Sequence, residues 1–235
     1  MINWIAFDAD DTLWENEIYY HKTQVVLQEL LKDYCSPELV NKTLLETEIK
    51  NVPSYGYGIK SFGLSMIETA LFLSGGKIEG EKIQSILESI KEMINTPVAL
   101  LPNVLNVLKS LSKNYRLMVI TKGDLLDQER KFRNSRLSSF VNAFEVVNVK
   151  EINTYQKILD RLQIPVQEFM MVGNSLRSDV LPVAALGGFG VLINHHLTWE
   201  HEKLVNSDLQ DLPYYEIDGI KYLPGLIEMI NRESK

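Results

Sequence analysis

The sequence predicts an α/β protein in which a doubly wound parallel sheet carries an inserted bundle of helices. Two observations lead to this class. From about residue 103 onward, strand and helix patterns alternate, which is typical of a parallel sheet with helices on both faces. Residues 16–96, in contrast, show helical periodicity and no convincing strand. We therefore predict a core domain made of residues 1–15 and 97–235, and an inserted helical domain made of residues 16–96.

The first strand is predicted at residues 4–7, because Trp4-Ile5-Ala6-Phe7 is a continuous apolar run of the kind found in strands buried on both faces. Similar runs predict strands at residues 116–120, 144–147, 169–172 and 190–193, with a candidate edge strand at 214–217. Helices are predicted between and after them, at residues 103–111, about 125–132, 153–162, 178–186 and 223–231.

About four helices are predicted in the inserted segment, enough to bury one another's apolar faces. Ser36-Pro37 supplies a capping residue followed by a proline at the first helical position, which indicates a helix start. That helix is predicted to end near residue 50, because residues 51–58 contain turn residues and aromatics. Helical spacing resumes at residues 59–74 and 81–94.

Composition limits the function classes. Hydrophobic residues make up 45% and charged residues 23% of the chain, which is ordinary for a soluble globular protein. The formal charge of -7, with dispersed basic residues, disfavours nucleic-acid binding. The lone Cys35 excludes an intrachain disulfide, and no signal peptide or membrane span is predicted. We therefore expect a cytoplasmic protein without membrane association, and the sequence leaves its oligomeric state open.

Polar and charged residues follow the predicted strands, where open parallel sheets bind their ligands. Asp8, Asp10 and Asp11 follow the first strand, and such neighbouring carboxylates usually imply a cation or proton transfer. Later strands are followed by Thr121-Lys122-Gly123, by Lys150, and by a segment from Gly173 and Asn174 to Asp179. A carboxylate nucleophile, a hydroxyl with backbone amides, an ammonium group and metal-binding oxygens are the groups that phosphoryl transfer needs.

These residues resemble a known family. Asp8-x-Asp10-x-Thr12, then Thr121, then Lys150, then Gly173-Asn174-x4-Asp179 are similar to the four motifs of the haloacid dehalogenase (HAD) superfamily, in the same order. The resemblance covers essentially the whole chain. It implies a Rossmann-like core, with an α-helical cap inserted between the first and second motifs. We call residues 16–96 the cap.

The resemblance implies a role for each matching residue. Asp8 would attack phosphorus and form an aspartyl-phosphate, and Asp10 would act as general acid and then general base. Phosphoryl oxygens would be held by Thr121 and by the amides around Lys122 and Gly123, while Lys150 would neutralise charge. The cofactor would be Mg²⁺, bound by Asp8, the backbone carbonyl of Asp10, Asn174 and Asp179.

Some assignments stay open. The family usually has aspartate where this chain has Asn174, which leaves more of the metal site to Asp179. Lys157, about two helical turns beyond Lys150, is the alternative lysine. Asp11 is expected to be structural, and Asp124 is expected to cap the following helix. A metal site at His195, His196 and His201 is not expected, because no clear carboxylate partner accompanies them.

In the cap, Tyr55, Tyr57 and Lys60 lie beside glycines and are candidates to contact the substrate, with Lys60 meeting a second anionic group. Packing within the cap is the competing explanation for all three. Trp14 is expected to pack at the hinge between core and cap.

The function that these observations predict is a Mg²⁺-dependent phosphatase acting on a small phosphorylated metabolite. A haloacid dehalogenase is the alternative on the same fold, although it needs neither an acid at Asp10 nor a metal. A phosphonatase would need a Schiff-base lysine in the cap, for which Lys22 and Lys60 are candidates. A non-catalytic module that binds a phosphorylated ligand is a further alternative, suggested by Asn174.

Overall fold

The core of the molecule is a six-stranded sheet in the order β3-β2-β1-β4-β5-β6, with every neighbouring pair parallel. The computed structural model describes residues 1–194 and 212–233. The strands are β1 (Trp4–Phe7), β2 (Arg116–Lys122), β3 (Ala143–Val147), β4 (Phe169–Gly173), β5 (Phe189–Ile193) and β6 (Tyr215–Ile217). This sheet confirms the predicted α/β class, including the edge strand near the C-terminal end.

Helices cover the sheet and form the inserted segment. In the inserted segment they are α1 (Glu17–Leu31), α2 (Pro37–Tyr55), α3 (Ile59–Leu73) and α4 (Gly80–Asn95). The others are α5 (Val104–Leu111), α6 (Leu125–Asn134), α7 (Ile152–Leu162), α8 (Leu181–Ala185) and α9 (Leu223–Glu233). Two apolar clusters bury the two faces of the sheet, so β1 lies in the centre with both of its faces covered.

Two elements of the core differ from the prediction. Strand β2 continues to Lys122, because Thr121 and Lys122 pair with Val146 and Val147 of β3. The helix predicted from residue 178 begins instead as a single π-helical turn at Leu176–Val180, and α8 follows it. In that turn the N–H of Val180 donates to the carbonyl of Ser175 at 3.3 Å, a wider loop than an α-helix closes.

Four helices in the inserted segment surround a separate apolar cluster that includes Leu27, Leu44, Met66 and Ile86. The predicted end of α2 near residue 50 was wrong, because the helix runs on to Tyr55. Pro53 is tolerated within two residues of that end. Gly56 then terminates the helix with a φ of 71°, where glycine carries no side-chain penalty.

The chain divides into two compact units. One contains Met1–Glu15, Val98–Lys122 and Arg130–Lys235, and the other contains Asn16–Pro97 and Gly123–Glu129. The assignment of residues 1–15 and 97–235 to one domain and 16–96 to another stays a prediction. Within the described residues, no helix combines the length and the hydropathy that crossing a membrane requires.

Glu48 on α2 is a partly buried carboxyl group. Its burial, and then the negative charge of Glu17 on α1, raise the pKa of Glu48 from 4.5 to about 8. The folded state therefore binds this proton more tightly than the unfolded chain does. By linkage, stability falls as the pH rises from about 4.5 to about 8, and the full penalty is present above that range.

Glu48→Gln removes this penalty. We expect the variant to exceed the wild type in free energy of unfolding by about 1–3 kcal/mol at pH 8.5, and to lose most of that advantage at pH 5. Urea unfolding at the two pH values measures the difference. Glu46→Gln is the matched control, because that side chain lies on the same helix and is 65% exposed. An equal gain at both pH values would contradict the assignment.

Candidate active site

Asp8 is the first residue beyond the central strand. Its backbone N–H donates to the carbonyl of Val172 at 2.9 Å, which fixes it between the ends of β1 and β4. The side chain is buried, and its Oδ2 accepts a hydrogen bond from the Thr12 hydroxyl at 3.1 Å. Its Oδ1 accepts a hydrogen bond from the ammonium group of Lys150. The central strand thus delivers a buried, fully oriented carboxyl group to the edge of the sheet.

A tight turn follows Asp8 and orients the next carboxylates. Asp11 lies in the left-handed region with a φ of 60°, and its N–H donates to the carbonyl of Trp14 at 2.7 Å. Aspartate tolerates this conformation better than most residues do. The expected structural place of Asp11 is therefore consistent with its backbone. Asp10 points elsewhere, and its Oδ1 accepts bonds from Trp14 Nε1 at 2.7 Å and from Lys131 Nζ at 3.0 Å.

Lys150 joins two strand ends electrostatically. It follows β3 and is buried, and its Nζ lies 2.6 Å from Oδ1 of Asp179 while it also bonds Asp8. Lys157, the alternative lysine, is exposed on α7. The geometry therefore brings Lys150, and not Lys157, to the carboxylates.

Asp8 and Lys150 act on one another's pKa values through their charges. Burial raises the pKa of Asp8 above its ordinary value, Lys150 lowers it, and the charges of Asp179 and Asp10 raise it again. Burial by itself lowers the pKa of Lys150, but the charges of Asp179 and Asp8 outweigh it and keep the lysine protonated. One ammonium group is shared by two buried carboxylates, so additional positive charge would favour an ionised Asp8.

Asp179 approaches the backbone at the end of β4. Its Oδ2 accepts the N–H of Ser175 at 3.1 Å, and a Cβ placed on Gly173 would lie 2.2 Å from the same oxygen. Only glycine leaves room for this carboxylate. Asn174 lies beside them with its Oδ1 3.3 Å from the hydroxyl oxygen of Thr12.

The end of β2 contributes Thr121 and Lys122. Thr121 is buried and its hydroxyl donates to the carbonyl of Lys122 at 3.3 Å, while Lys122 Nζ donates to the hydroxyl of Ser178 at 3.0 Å. Thr121 lies within the strand and does not cap α6. Asp124 caps that helix, since its Oδ1 accepts the N–H of Asp127 at 3.1 Å. Gly123 joins strand and helix with a φ of 130°, which favours glycine.

The structure gives the hydrogen-bond partners of two candidate residues of the cap, Tyr55 and Lys60. Tyr55 is exposed, and its hydroxyl donates to Glu68 at 3.3 Å. Tyr57 is partly buried. Lys60 Nζ lies 3.0 Å from both oxygens of Asp124. Contact of these residues with a substrate stays a prediction, and His195, His196 and His201 lie outside the described residues.

Lys131 is the site residue that the sequence analysis missed. It lies on α6, two helical turns after Asp124, and its ammonium group contacts Asp10. A signal was present: Asp124, Asp127, Gln128 and Lys131 follow the spacing of one helix face, and the last three are buried. A buried polar stripe on a helix beside strand-end carboxylates indicates a site, because such side chains are rarely buried without partners.

The donors present at this sheet edge fit a hard cation. Across residues 1–194 and 212–233, no group of three or more His, Cys, Asp and Glu side chains is arranged to hold a metal ion. The resemblance implies a mixed set, formed by the carboxylates of Asp8 and Asp179, the amide oxygen of Asn174 and the backbone carbonyl of Asp10. Thr12 lies within 3.3 Å of both Asp8 and Asn174, and Lys150 bonds both Asp8 and Asp179. Oxygen donors of this kind, completed by water, are what Mg²⁺ prefers. Lys150 supplies one positive charge to two carboxylates, Asp8 and Asp179. A divalent cation would balance the negative charge that remains.

Asn174 can serve such a set in one of its two amide orientations. Thr12 has one hydroxyl proton, so it cannot donate to Asp8 and to Asn174 at the same time. With the amide of Asn174 turned over, its nitrogen donates to Thr12 and its oxygen is released as a ligand.

A parallel sheet with carboxylates, an ammonium group and a hydroxyl gathered beyond its strands defines an α/β enzyme that works at this edge. The chain matches the haloacid dehalogenase-like hydrolase family over residues 2–187 and belongs to that family. The protein is therefore a hydrolase, and the resemblance drawn from the four sequence motifs is confirmed.

Individual relatives agree with this assignment. A crystal structure of a haloacid dehalogenase-like family hydrolase from Xanthomonas campestris is 34% identical, with a TM-score of 0.87, and the match covers 99% of this chain and 93% of that one. A glyceraldehyde 3-phosphate phosphatase from Methanothermobacter thermautotrophicus is 25% identical over 240 residues, which cover 97% of this chain and 100% of that protein. A 2-haloacid dehalogenase from Pseudomonas syringae shares the fold at 19% identity and a TM-score of 0.63, covering 97% of this chain and 99% of that one.

Lys150→Met leaves two buried carboxylates without their shared counter-charge. We expect the metal-free variant to lose about 3–5 kcal/mol of unfolding free energy at pH 8, and less at pH 5, where protonation relieves the repulsion. Denaturant unfolding in the presence of a chelator measures this. Lys157→Met is the matched control and should change stability by less than about 0.5 kcal/mol. Similar losses in both variants would contradict the central position of Lys150.

Gly173→Ala introduces a methyl group where Asp179 Oδ2 now lies. We expect Asp179 to be displaced, with a loss of about 1–3 kcal/mol in stability and at least about tenfold in hydrolytic rate. The matched control is Gly225→Ala on α9, where an added Cβ has nothing within 4 Å. Full activity in Gly173→Ala would show that the position of Asp179 is not critical.

Proposed function

We propose that this hydrolase is a Mg²⁺-dependent phosphatase that acts on a small phosphorylated metabolite through an aspartyl-phosphate at Asp8. One observation carries the proposal. Asp8 is buried and oriented by Lys150 and Thr12, and a second carboxylate, Asp10, lies two residues further on and is held by separate donors. Because their partners differ, Asp8 would act as the nucleophile and Asp10 as the acid/base group, although both belong to the same turn.

In the first half-reaction, an oxygen of Asp8 attacks phosphorus and the bond from phosphorus to the alcohol oxygen breaks. Asp10 donates its proton to the departing oxygen, so that an alcohol leaves in place of an alkoxide. Thr121 and the backbone amides around Lys122 and Gly123 hold the phosphoryl oxygens. Lys150 balances the negative charge that the phosphate brings beside Asp8.

In the second half-reaction, Asp10 removes a proton from a water molecule and the water oxygen attacks the phosphorus of the aspartyl-phosphate. The bond between phosphorus and Asp8 breaks, which releases inorganic phosphate and restores both carboxyl groups. Mg²⁺, held by Asp8, the Asp10 carbonyl, Asn174 and Asp179, would supply charge neutralisation at the phosphoryl oxygens.

The proposed substrate class is supported by similarity, because the relative from Methanothermobacter thermautotrophicus is a glyceraldehyde 3-phosphate phosphatase, and the match covers 97% of this chain and 100% of that protein. Substrate contacts are proposed for Tyr55, Tyr57 and Lys60 in the cap. Lys60 would release Asp124 and form an ion pair with a second anionic group of the substrate. A cytoplasmic location, and the absence of nucleic-acid and membrane partners, remain expectations from composition.

The alternatives have less support. Dehalogenation needs neither an acid at Asp10 nor a metal. It would therefore not explain why Trp14 and Lys131 donate to Asp10, or why Asp179 is buried. A Schiff-base lysine must be neutral, whereas Lys60 is ion-paired with Asp124 and Lys22 is exposed. A purely binding module would not need a second carboxylate positioned beside the first.

Hydrolysis of p-nitrophenyl phosphate by the purified protein, with Mg²⁺ and with a chelator, tests the proposal. We expect Asp8→Asn to lose activity by more than about 10³-fold. Asp10→Asn should lose about 10²–10⁴-fold in kcat, because the second half-reaction needs Asp10 as its base. Asp11→Asn is the matched control from the same turn, because asparagine also tolerates a positive φ, and it should keep most of the activity. A panel of phosphorylated metabolites then identifies the substrate.

Full activity in Asp8→Asn would rule out the aspartyl-phosphate. Activity that a chelator leaves unchanged would rule out the metal. Acid quenching of a turnover mixture with ³²P-labelled substrate should also trap label on the wild-type protein and not on Asp8→Asn.

A further inference from the structure

Lys131 is a buried lysine whose ammonium group contacts Asp10, the acid/base candidate. Its side chain is 10% exposed and its Nζ lies 3.0 Å from Oδ1 of Asp10. Burying a lysine costs free energy, and a buried ion pair returns little net stability compared with apolar packing. A purely structural purpose therefore explains this lysine poorly.

A second donor reaches the same oxygen from a rigid side chain. Trp14 is 1% exposed, and its Nε1 donates to Asp10 Oδ1 at 2.7 Å. The indole is fixed in turn, because the Trp14 backbone bridges to Leu100 and its carbonyl accepts the N–H of Asp11 at 2.7 Å. Two donors with separate anchors, one in the turn and one on α6, together fix the plane of the Asp10 carboxylate.

We propose that Lys131 is a positioning residue that holds the Asp10 carboxylate in the orientation for proton exchange with the leaving group. The inference rests on the proposed function and adds to it a residue outside the four motifs. Both donors bond Oδ1, so they fix how the carboxylate is turned while it exchanges its proton.

A residue that acts through the general acid has a specific kinetic signature. Formation of the aspartyl-phosphate is the step that kcat/KM reports, and it needs a proton only when the leaving oxygen is strongly basic. p-Nitrophenolate leaves without protonation, whereas an alkoxide does not. Losing Lys131 should therefore damage kcat/KM for an alkyl phosphate far more than for p-nitrophenyl phosphate.

The experiment uses the full chain with saturating Mg²⁺ and compares kcat/KM for p-nitrophenyl phosphate and for glycerol phosphate. For Lys131→Met we expect a loss of about 30-fold or more with glycerol phosphate and less than about threefold with p-nitrophenyl phosphate. Lys131→Arg, which keeps a charged donor, should recover most of the alkyl activity. Lys82→Met is the matched control, a partly buried lysine that pairs with Asp33 in the inserted helices.

A double-mutant cycle tests whether the effect passes through Asp10. In an Asp10→Asn background, Lys131→Met should cause no further loss with glycerol phosphate, because the group it positions is already gone. Inhibition by inorganic phosphate should be unchanged in Lys131→Met. Thermal unfolding of each variant shows whether it is folded, and Lys131→Ala, which also removes the donor, replaces Lys131→Met if that variant is not.

Equal losses with both substrates, or additive losses in the Asp10→Asn background, would overturn the proposal and make Lys131 a phosphate-binding or structural residue. Failure of the proposed function looks different, because the wild-type protein would then hydrolyse neither substrate, or Asp8→Asn would remain active.

Discussion

The ion pairs of Lys150 with Asp8 and Asp179 are the constraint on which the rest of the active site depends. Three ionisable side chains are buried together at the end of a parallel sheet, and one positive charge serves two negative ones. Such a group is costly to bury, so its geometry has to be maintained by the strands that carry it. The parallel pairing of β1 with β4 and of β1 with β2 supplies that rigidity.

The same constraint explains several local choices of residue. Gly173 leaves room for Asp179, and the π-helical turn at Leu176–Val180 lets that side chain return toward the strand it follows. Thr12 supports Asp8 from within the turn. Neutral Asn174 in place of a further carboxylate limits the negative charge in a site where Asp8 already has its pKa raised by burial.

Different partners hold Asp8, the proposed nucleophile, and Asp10, the proposed acid/base group. Asp8 is buried and bonded to Lys150, whereas Asp10 is 23% exposed and bonded to Trp14 and Lys131. Two carboxyl groups that lie two residues apart can therefore have different chemical roles. The environment of each group, and not its residue type, determines how it exchanges protons. This division supports the proposed phosphatase chemistry on a fold shared with the 2-haloacid dehalogenase from Pseudomonas syringae.

The sequence by itself determined the fold class, because apolar runs, helical spacing and the order of the strand-end residues are all local signals. It also pointed to Asp8, Asp10, Lys150 and Asp179, since each directly follows a strand or lies within a few residues of one. Only the tertiary structure decided that Lys150, and not Lys157, meets the carboxylates, and that Lys131 reaches Asp10 across 121 residues of chain. Contacts between distant segments depend on helix placement and side-chain direction, which no local pattern specifies.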